Sequence, residues 1–325
     1  MKAGIIGAGT IAEVMADTLR RMGTVERYGI AAREYVRAEA FARRWGFRKA
    51  YGSYEEMVRD PEVELIYIAT PHSHHAAHIR LCLENGKHVL CEKAFTVNAA
   101  QAREVLALAE AKGLLLTEAV WTRYMPMRRT LEAIIAGGKI GVPHMLTANL
   151  CYLLGDRERY VRPELAGGAL LDLGIYPLNF AAMVFGGQIE SICGQAVMTE
   201  TGVDAQNSIT LRYRDGKMAL LNSSFRFSSD RRGLVYGDQG YVEVANISNF
   251  ERLDVYGRNR ELLETYAAPK QITGYEYEVE ACVRAIENGE LECAQLPHAE
   301  TIRMMEWMDE LRGQWGMRYP MEAQT

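Results

Sequence analysis

The sequence is poor in the features that announce a metal, a membrane or a nucleic acid. Its six cysteines (Cys82, Cys91, Cys151, Cys193, Cys282 and Cys293) are scattered over 325 residues, with no CxxC pair. Most sit in apolar runs, so buried free thiols in a reducing cytosol are expected rather than disulfides. No stretch approaches the ~20 uninterrupted apolar residues of a membrane span. A net charge of -5 gives no reason to expect nucleic acid or an acidic membrane surface as partner. Internal repeats, low-complexity tracts and long linkers are all missing. The first residues, Met1 to Ile6, enter a strand directly and leave no room for a signal peptide, so a cytoplasmic protein is expected.

What is present is ordinary globular composition, 48% hydrophobic and 24% charged. The length favours two domains. Ala3 to Ile6 reads as a strand, and Gly7-Ala8-Gly9-Thr10-Ile11-Ala12 follows at once, ahead of helical periodicity through Val14, Met15, Thr18 and Leu19. This is the G-x-G-x-x-A dinucleotide fingerprint in its required context. Gly7 permits the tight turn, Gly9 lets the backbone approach a pyrophosphate, and Ala12 lets helix and strand pack closely. The free amides at Thr10, Ile11 and Ala12 then face the phosphates at the helix start. The second strand, about Tyr28 to Ala32, ends in Arg33 with Arg37 one turn on, where an NAD enzyme usually presents Asp or Glu. Guanidinium groups favour the 2′-phosphate of NADP, with NAD still possible. Glu34 argues the other way unless it begins the next helix, where the dipole suits a carboxylate.

Phe41 to Ala50 should close that helix, and Ser53-Tyr54-Glu55-Glu56 is a capping box. Leu65 to Ala69 is a buried strand ending in Thr70-Pro71-His72-Ser73-His74-His75. The histidines His72, His74, His75 and His78 invite a zinc reading, but no glutamate or cysteine completes a metal pattern, so no metal is assigned. Thr70, Pro71, His72 and His75 are assigned to the cofactor, with the later histidines on a solvated helix. His88 to Phe95 is a further buried strand that ends in Glu92 and Lys93. That is where open α/β sheets bind ligands, so Lys93 is either a snorkelling surface residue or a functional amine. Asn98 caps a helix through Lys112, and Leu114 to Glu118 is the next strand.

The strand–helix alternation stops at Trp121 to Pro126, which sets a boundary between a Rossmann domain over 1–120 and a second domain over 121–325. The second half reads as strand-rich, with segments over 144–153, 188–198, 207–213, 218–227, 233–236, 241–244 and 252–256, and Asp215-Gly216 as a hairpin turn. A large, mostly antiparallel sheet with helices on one face is expected. The fold class is therefore α/β, a doubly wound parallel sheet followed by an α+β domain whose last helix packs back on the first. Within Gly167 to Pro177, Asp172 and Tyr176 stand i, i+4; on spacing alone this also suits a core tyrosine with an aspartate near a helix start. Helices are expected over 274–288 and 297–315, the second with a packing stripe at Met304, Met305 and Met308.

Taken together, Gly7 to Ala12, Thr70 to His75, Gly86 to Lys93, Gly167 to Tyr176 and Gly316 to Pro320 resemble the glucose–fructose oxidoreductase and inositol dehydrogenase (Gfo/Idh/MocA) family. The resemblance spans nearly the whole chain in order. Glu118 to Pro126 and Asp172 to Tyr176 look most like its dihydrodiol dehydrogenase branch, which is NADP-dependent and in some cases oxidises D-xylose. Three departures stand out: Ala94 in E-K-P, Tyr176 and Asn179 in D-x-G-x-H-x-x-D, and His72 in TPN. The resemblance implies a homodimer or higher homo-oligomer, and hydride transfer between NADP and a sugar or cyclic diol. It implies Lys93, Tyr176 and Asp172 as catalytic residues. Glu92 and Lys93 would also touch the cofactor, and Trp121, Arg123, Tyr152 and Tyr176 the substrate. The rival expectation is a nicotinamide-nucleotide-binding sensor or scaffold without catalysis.

Overall fold

The computed structural model describes residues 1–155 and 157–324. The chain forms two compact units, Met1–Trp121 with Gln271–Ile302, and Thr122–Lys270 with Arg303–Thr325. Residues 271–302, assigned from the sequence to the second half, thus group with the first unit.

The first unit is built on six strands: β1 (Lys2–Ile6), β2 (Glu26–Ala31), β3 (Lys49–Tyr51), β4 (Leu65–Ile68), β5 (His88–Glu92) and β6 (Leu116–Ala119). They pair in the order β3-β2-β1-β4-β5-β6, every pair parallel. Burial on both faces explains the continuous apolar runs of β4 and β5, which alternation would not produce. Helices α1 (Thr10–Met22), α2 (Tyr35–Trp45), α3 (Tyr54–Arg59), α4 (His75–Glu84) and α5 (Ala99–Lys112) make the crossovers. Ser53 and Asn98 cap α3 and α5, accepting from the amides of Glu56 and Gln101 at 3.1 and 2.9 Å. The strand order reverses between β1 and β4, so the carboxyl ends of β1, β4 and β5 edge the crevice where such sheets bind ligands.

One local expectation gives way here. The helix expected to close over 41–50 stops at Trp45, because Gly46 takes a left-handed φ of 70°. Lys49–Tyr51 then pairs with Gly29 to Ala31 as a short edge strand.

The second unit contains α6 (Pro126–Ala136), α7 (Glu158–Val161), α8 (Ile175–Phe185) and eight strands. These are β7 (Pro143–Cys151), β8 (Ile189–Met198), β9 (Asp204–Tyr213), β10 (Met218–Ser224), β11 (Gly233–Gly237), β12 (Gly240–Val244), β13 (Arg252–Gly257) and β14 (Leu262–Ala267). The order is β14-β13-β12-β11-β7-β10-β9-β8, antiparallel except for β7 against β10. A wider π-helical turn over Leu170–Gly174 leads into α8, which packs on β7 and β10. The sequence shows no span-length apolar run, yet Pro163–Phe185 is long and apolar enough by length and composition. Its most apolar 18-residue window is 83% buried, and the segment, which includes the π-helical turn and α8, belongs to the core of its unit. The edge strand β14 went unpredicted because nearly all of it is exposed and it has no alternation to read.

Two helices complete the chain, α9 (Glu276–Glu287) in the first unit and α10 (His298–Gln314), whose first residues belong to the first unit and the rest to the second. α9 packs against β5 and α1, which is why residues 271–302 group with the first unit. All six cysteines are free thiols; five are buried and Cys193, on β8, is exposed.

Candidate active site

The phosphate end of the crevice is set by two glycines with different reasons. Gly7 takes φ +98°, and a Cβ there would meet the Ala69 carbonyl oxygen at 2.8 Å, so β1 and the end of β4 approach too closely for any side chain. At Gly9 a Cβ would meet nothing within 4 Å. No neighbour in the chain requires that glycine, whereas a pyrophosphate against the backbone would. Gly9 is also the N-cap of α1 and offers no side-chain cap, leaving the amides of Thr10, Ile11 and Ala12 for an anion. These residues fit the diphosphate of a dinucleotide.

At the end of β2, Arg33 and Arg37 are exposed, with no ion-pair partner among the described residues. Burial raises the Tyr54 phenol, and the charges of both arginines pull it back. Burial and then the Arg33 charge lower the His74 imidazole. Glu34 serves as the N-cap position of α2, as its sequence position allowed. The guanidinium pair just past β2 fits an anionic group in its charge and exposure. The later histidines are less solvated than expected. His75 is fully buried, and His78 stacks on His74 at 5.7 Å and accepts or donates with Thr70 Oγ1 at 3.0 Å. Burial, with His74 and His75 adding to it, lowers His78 to about 4. His72 is buried edge-on to His75, their rings 5.7 Å apart. Among the described residues no group of three His, Cys, Asp or Glu is arranged to hold a metal.

Lys93 follows β5 in a turn whose backbone is held at three points. The Lys93 amide donates to Glu92 Oε2 at 3.2 Å. His75 Nδ1 contacts the Ala94 carbonyl at 2.8 Å, while its Nε2 reaches the Thr70 carbonyl at 2.8 Å. The Phe95 amide donates to Glu118 Oε1 at 3.0 Å. Glu118 is 1% exposed and its other oxygen accepts from Thr301 Oγ1 at 3.0 Å. Glu92 is also buried and accepts from the Tyr67 hydroxyl. The Lys93 side chain is half-buried, while Ala94 and Phe95 beside it are fully buried. The Lys93–Ala94 peptide is cis. Such anchoring fixes where an amine points, which is what an acid–base or oxyanion-binding group requires. Trp121 lies in the same unit, its ring stacked on Tyr275 at 4.5 Å and 17°. Glu118, Tyr67 and Tyr275 were not singled out from the sequence; a carboxylate ending a buried strand was the one available signal, and it was used only for Glu92.

The other assigned residues lie in the second unit. Asp172 sits in the π-helical turn, 5% exposed, and accepts from Arg159 at 2.6 Å. Burial, with the Asp172 charge next, pushes the neighbouring Tyr160 phenol up to about 12. Tyr176 is buried in the first turn of α8. Arg123 is 3% exposed and its Nε donates to Asn179 Oδ1 at 2.7 Å, while Asn179 Nδ2 donates to the Ile175 carbonyl at 2.8 Å. The structure thus places Arg123 on the α8 turn that carries Tyr176. Tyr152, just past β7, is half-buried and accepts from Arg231 at 3.4 Å.

The chain is similar to known proteins over nearly its whole length. Residues 1–120 match the GFO_IDH_MocA oxidoreductase family with an NAD-binding Rossmann fold, and residues 128–243 match that family's C-terminal domain. The trans-1,2-dihydrobenzene-1,2-diol dehydrogenase of Bos taurus is 35% identical over 99% of both chains. The D-xylose 1-dehydrogenase (NADP(+)) of Hypocrea jecorina is 34% identical over 98% of this chain and 93% of its own. Among solved structures, a 3-ketoreductase from Actinomadura kijaniata in complex with NADP and TDP-benzene shares the fold at TM-score 0.89. It is 24% identical over 97% of this chain and 98% of its own. The chain belongs to the Gfo/Idh/MocA family of oxidoreductases with an NAD-binding Rossmann fold.

Proposed function

We propose that the protein is an NADP-dependent dehydrogenase or reductase that acts on a CH–OH or carbonyl group of a sugar or cyclic diol. The observation that carries this reading is the three-point anchoring of the Lys93 turn at the carboxyl edge of a Rossmann sheet. The full-length likeness to diol and D-xylose dehydrogenases supports the substrate class. Arg33 and Arg37 support NADP as the cofactor, with NAD as the weaker ligand.

A bound nicotinamide supplies or accepts the hydride. The chain's residues manage the proton and the charge that this transfer leaves behind. The Lys93 ammonium binds the substrate oxygen and stabilises the developing alkoxide. Tyr176 exchanges the proton with that oxygen, and Asp172 holds the turn that carries it. In the alternative division Lys93 carries the proton and Tyr176 anchors the substrate. Trp121, Arg123 and Tyr152 complete the substrate assignments; Arg123 acts through Asn179 and α8.

Lys93→Met should abolish turnover while leaving NADP(H) affinity within about threefold. Tyr176→Phe lowers kcat if tyrosine carries the proton, and mainly raises KM if it anchors. Near-normal kcat in Lys93→Met on any sugar or diol would overturn the assignment. Binding of NADP(H) with no turnover across a panel of pentoses, hexoses and diols would point to a sensor.

The protein is further proposed to work in the cytosol as a homodimer. Six free thiols suit a reducing compartment. Exposed Val197, Met198, Met218 and Leu220 on β8 and β10 suit a covered sheet face.

A further inference from the structure

Two glutamates begin α9, and both are buried, but only one has a visible task. Glu276 accepts the amides of Ile272, Thr273 and Gly274 at 2.6, 3.1 and 2.7 Å and so closes the loop before the helix. Glu278 is 0% exposed, and neither of its carboxyl oxygens has a hydrogen-bond partner among the described residues. A carboxylate there would lose its hydration and gain nothing, so the acid form is the one that fits.

The groups around Glu278 point the same way. α9 packs on β5, whose last residue is Glu92. Burial first, then the charges of Glu92 and Cys293, hold Glu278 well above the carboxylate range. Its other titratable neighbours are Tyr67 on β4 and Cys282 on α9. Cys91 on β5 and Glu118 on β6 extend the same cluster. α1, also packed on α9, brings Glu13, Asp17, Arg20 and Arg21, all partly or fully exposed. Two members touch the Lys93 turn, Glu92 through the Lys93 amide and Glu118 through the Phe95 amide.

We infer that Glu278 is a positioning residue for Lys93, a neutral acid packed behind Glu92 that adds no charge to the two carboxylates, Glu92 and Glu118, that hold the turn. Were Glu278 ionised, a further negative charge would repel Glu92 and draw the Lys93 ammonium inward, away from a substrate oxygen. This role rests on the assignment of Lys93 to the reaction; the neutral state of Glu278 does not.

The test compares the unmutated protein with Glu278→Gln, which keeps the shape of the neutral acid. A carboxyl whose folded pKa is raised stabilises fully below its unfolded pKa and loses that contribution as pH rises toward the folded value. The unfolding constant of the unmutated protein, relative to Glu278→Gln, should therefore grow as pH rises from about 5, about tenfold per pH unit until Glu278 ionises in the folded protein. A ratio that stays flat as pH rises overturns the inference. In steady state Glu278→Gln should keep kcat within about threefold at neutral pH and move the alkaline limb of the profile upward. An unmoved limb overturns the positioning role. If Glu278→Gln does not fold, infrared titration of the unmutated protein decides. A protonated-carboxyl band must persist above the pH at which Asp204, raised to about 7, ionises. Its absence there overturns the inference. The unfolding and infrared measurements need no substrate, so their outcome is separate from that of the oxidoreductase assignment.

Discussion

Glu118→Ala removes one of the three anchors of the Lys93 turn, and its cost can be worked from the contacts. The carboxylate is 1% exposed and serves two buried donors, the Phe95 amide and the Thr301 hydroxyl, each at 3.0 Å. Stranding a buried donor costs about 1–3 kcal/mol, and the lost packing adds to it. The substitution should therefore cost about 3–6 kcal/mol, a large share of the ~5–15 kcal/mol that holds an ordinary domain together. Glu118→Gln keeps the volume and one acceptor oxygen. The Thr301 hydroxyl can rotate to accept from the new amide, so about 1–2 kcal/mol is expected. Denaturant unfolding measures both, and amide exchange at Phe95 reports the anchor itself. The Gln variant should fold, bind NADP(H) within about threefold and lose kcat, because the turn that aims Lys93 has loosened. Equal costs for Ala and Gln, or a cost below about 1 kcal/mol for Ala, would refute the anchoring argument.

Other expectations follow from the same structure. Arg33→Ala should narrow the preference for NADP over NAD by about tenfold, the lower end for a charge-assisted contact because Arg33 is exposed. Equal affinity of the unmutated protein for both cofactors, by reduced-nicotinamide fluorescence, would remove the basis for this. Burial raises Asp204 to about 7. Its stabilising contribution is therefore complete below about pH 4 and is lost as pH rises to about 7, some 4 kcal/mol in all. Asp204→Asn should flatten that slope in urea unfolding across the same range, and an unchanged slope would contradict it. Leu220→Glu, on the exposed face of β10, should lower the mass in light scattering from that of the proposed homodimer to that of a monomer; an unchanged mass would contradict a dimer through this face.

The residues legible in the sequence are those whose signal is local. Gly7 and Gly9 are spaced by a turn between a strand and a helix, and Lys93 ends an apolar run, so period and punctuation suffice. What stayed hidden depends on which element packs where. In the run Glu276-Tyr277-Glu278-Val279-Glu280, Glu276 and Glu280 stand i, i+4 on one side of the helix and Glu278 on the other. Yet Glu276 and Glu278 are buried, and only Glu280 is exposed. Helical period does not sort them this way; the packing of α9 on β5 does. His75 is similar. Its place after Thr70-Pro71 assigned it to the cofactor, and the structure adds that its two ring nitrogens each face a backbone carbonyl. A neutral ring donates to one of these at a time, and that constraint appears only once the turn after β5 is in place.

The departure at Ala94, where the family's usual motif has proline, follows from the same anchoring. The turn after β5 is held through the amide of Lys93, the carbonyl of Ala94 and the amide of Phe95. The amide of residue 94, the one donor a proline lacks, is not among them. Alanine and proline therefore leave all three anchors in place, and the methyl of Ala94 is fully buried against its surroundings. Each anchor comes from a different part of the sheet: Glu92 from β5 itself, His75 from the start of α4 after β4, and Glu118 from β6. The aim of Lys93 thus depends on the register of three neighbouring parallel strands rather than on the residue that follows it.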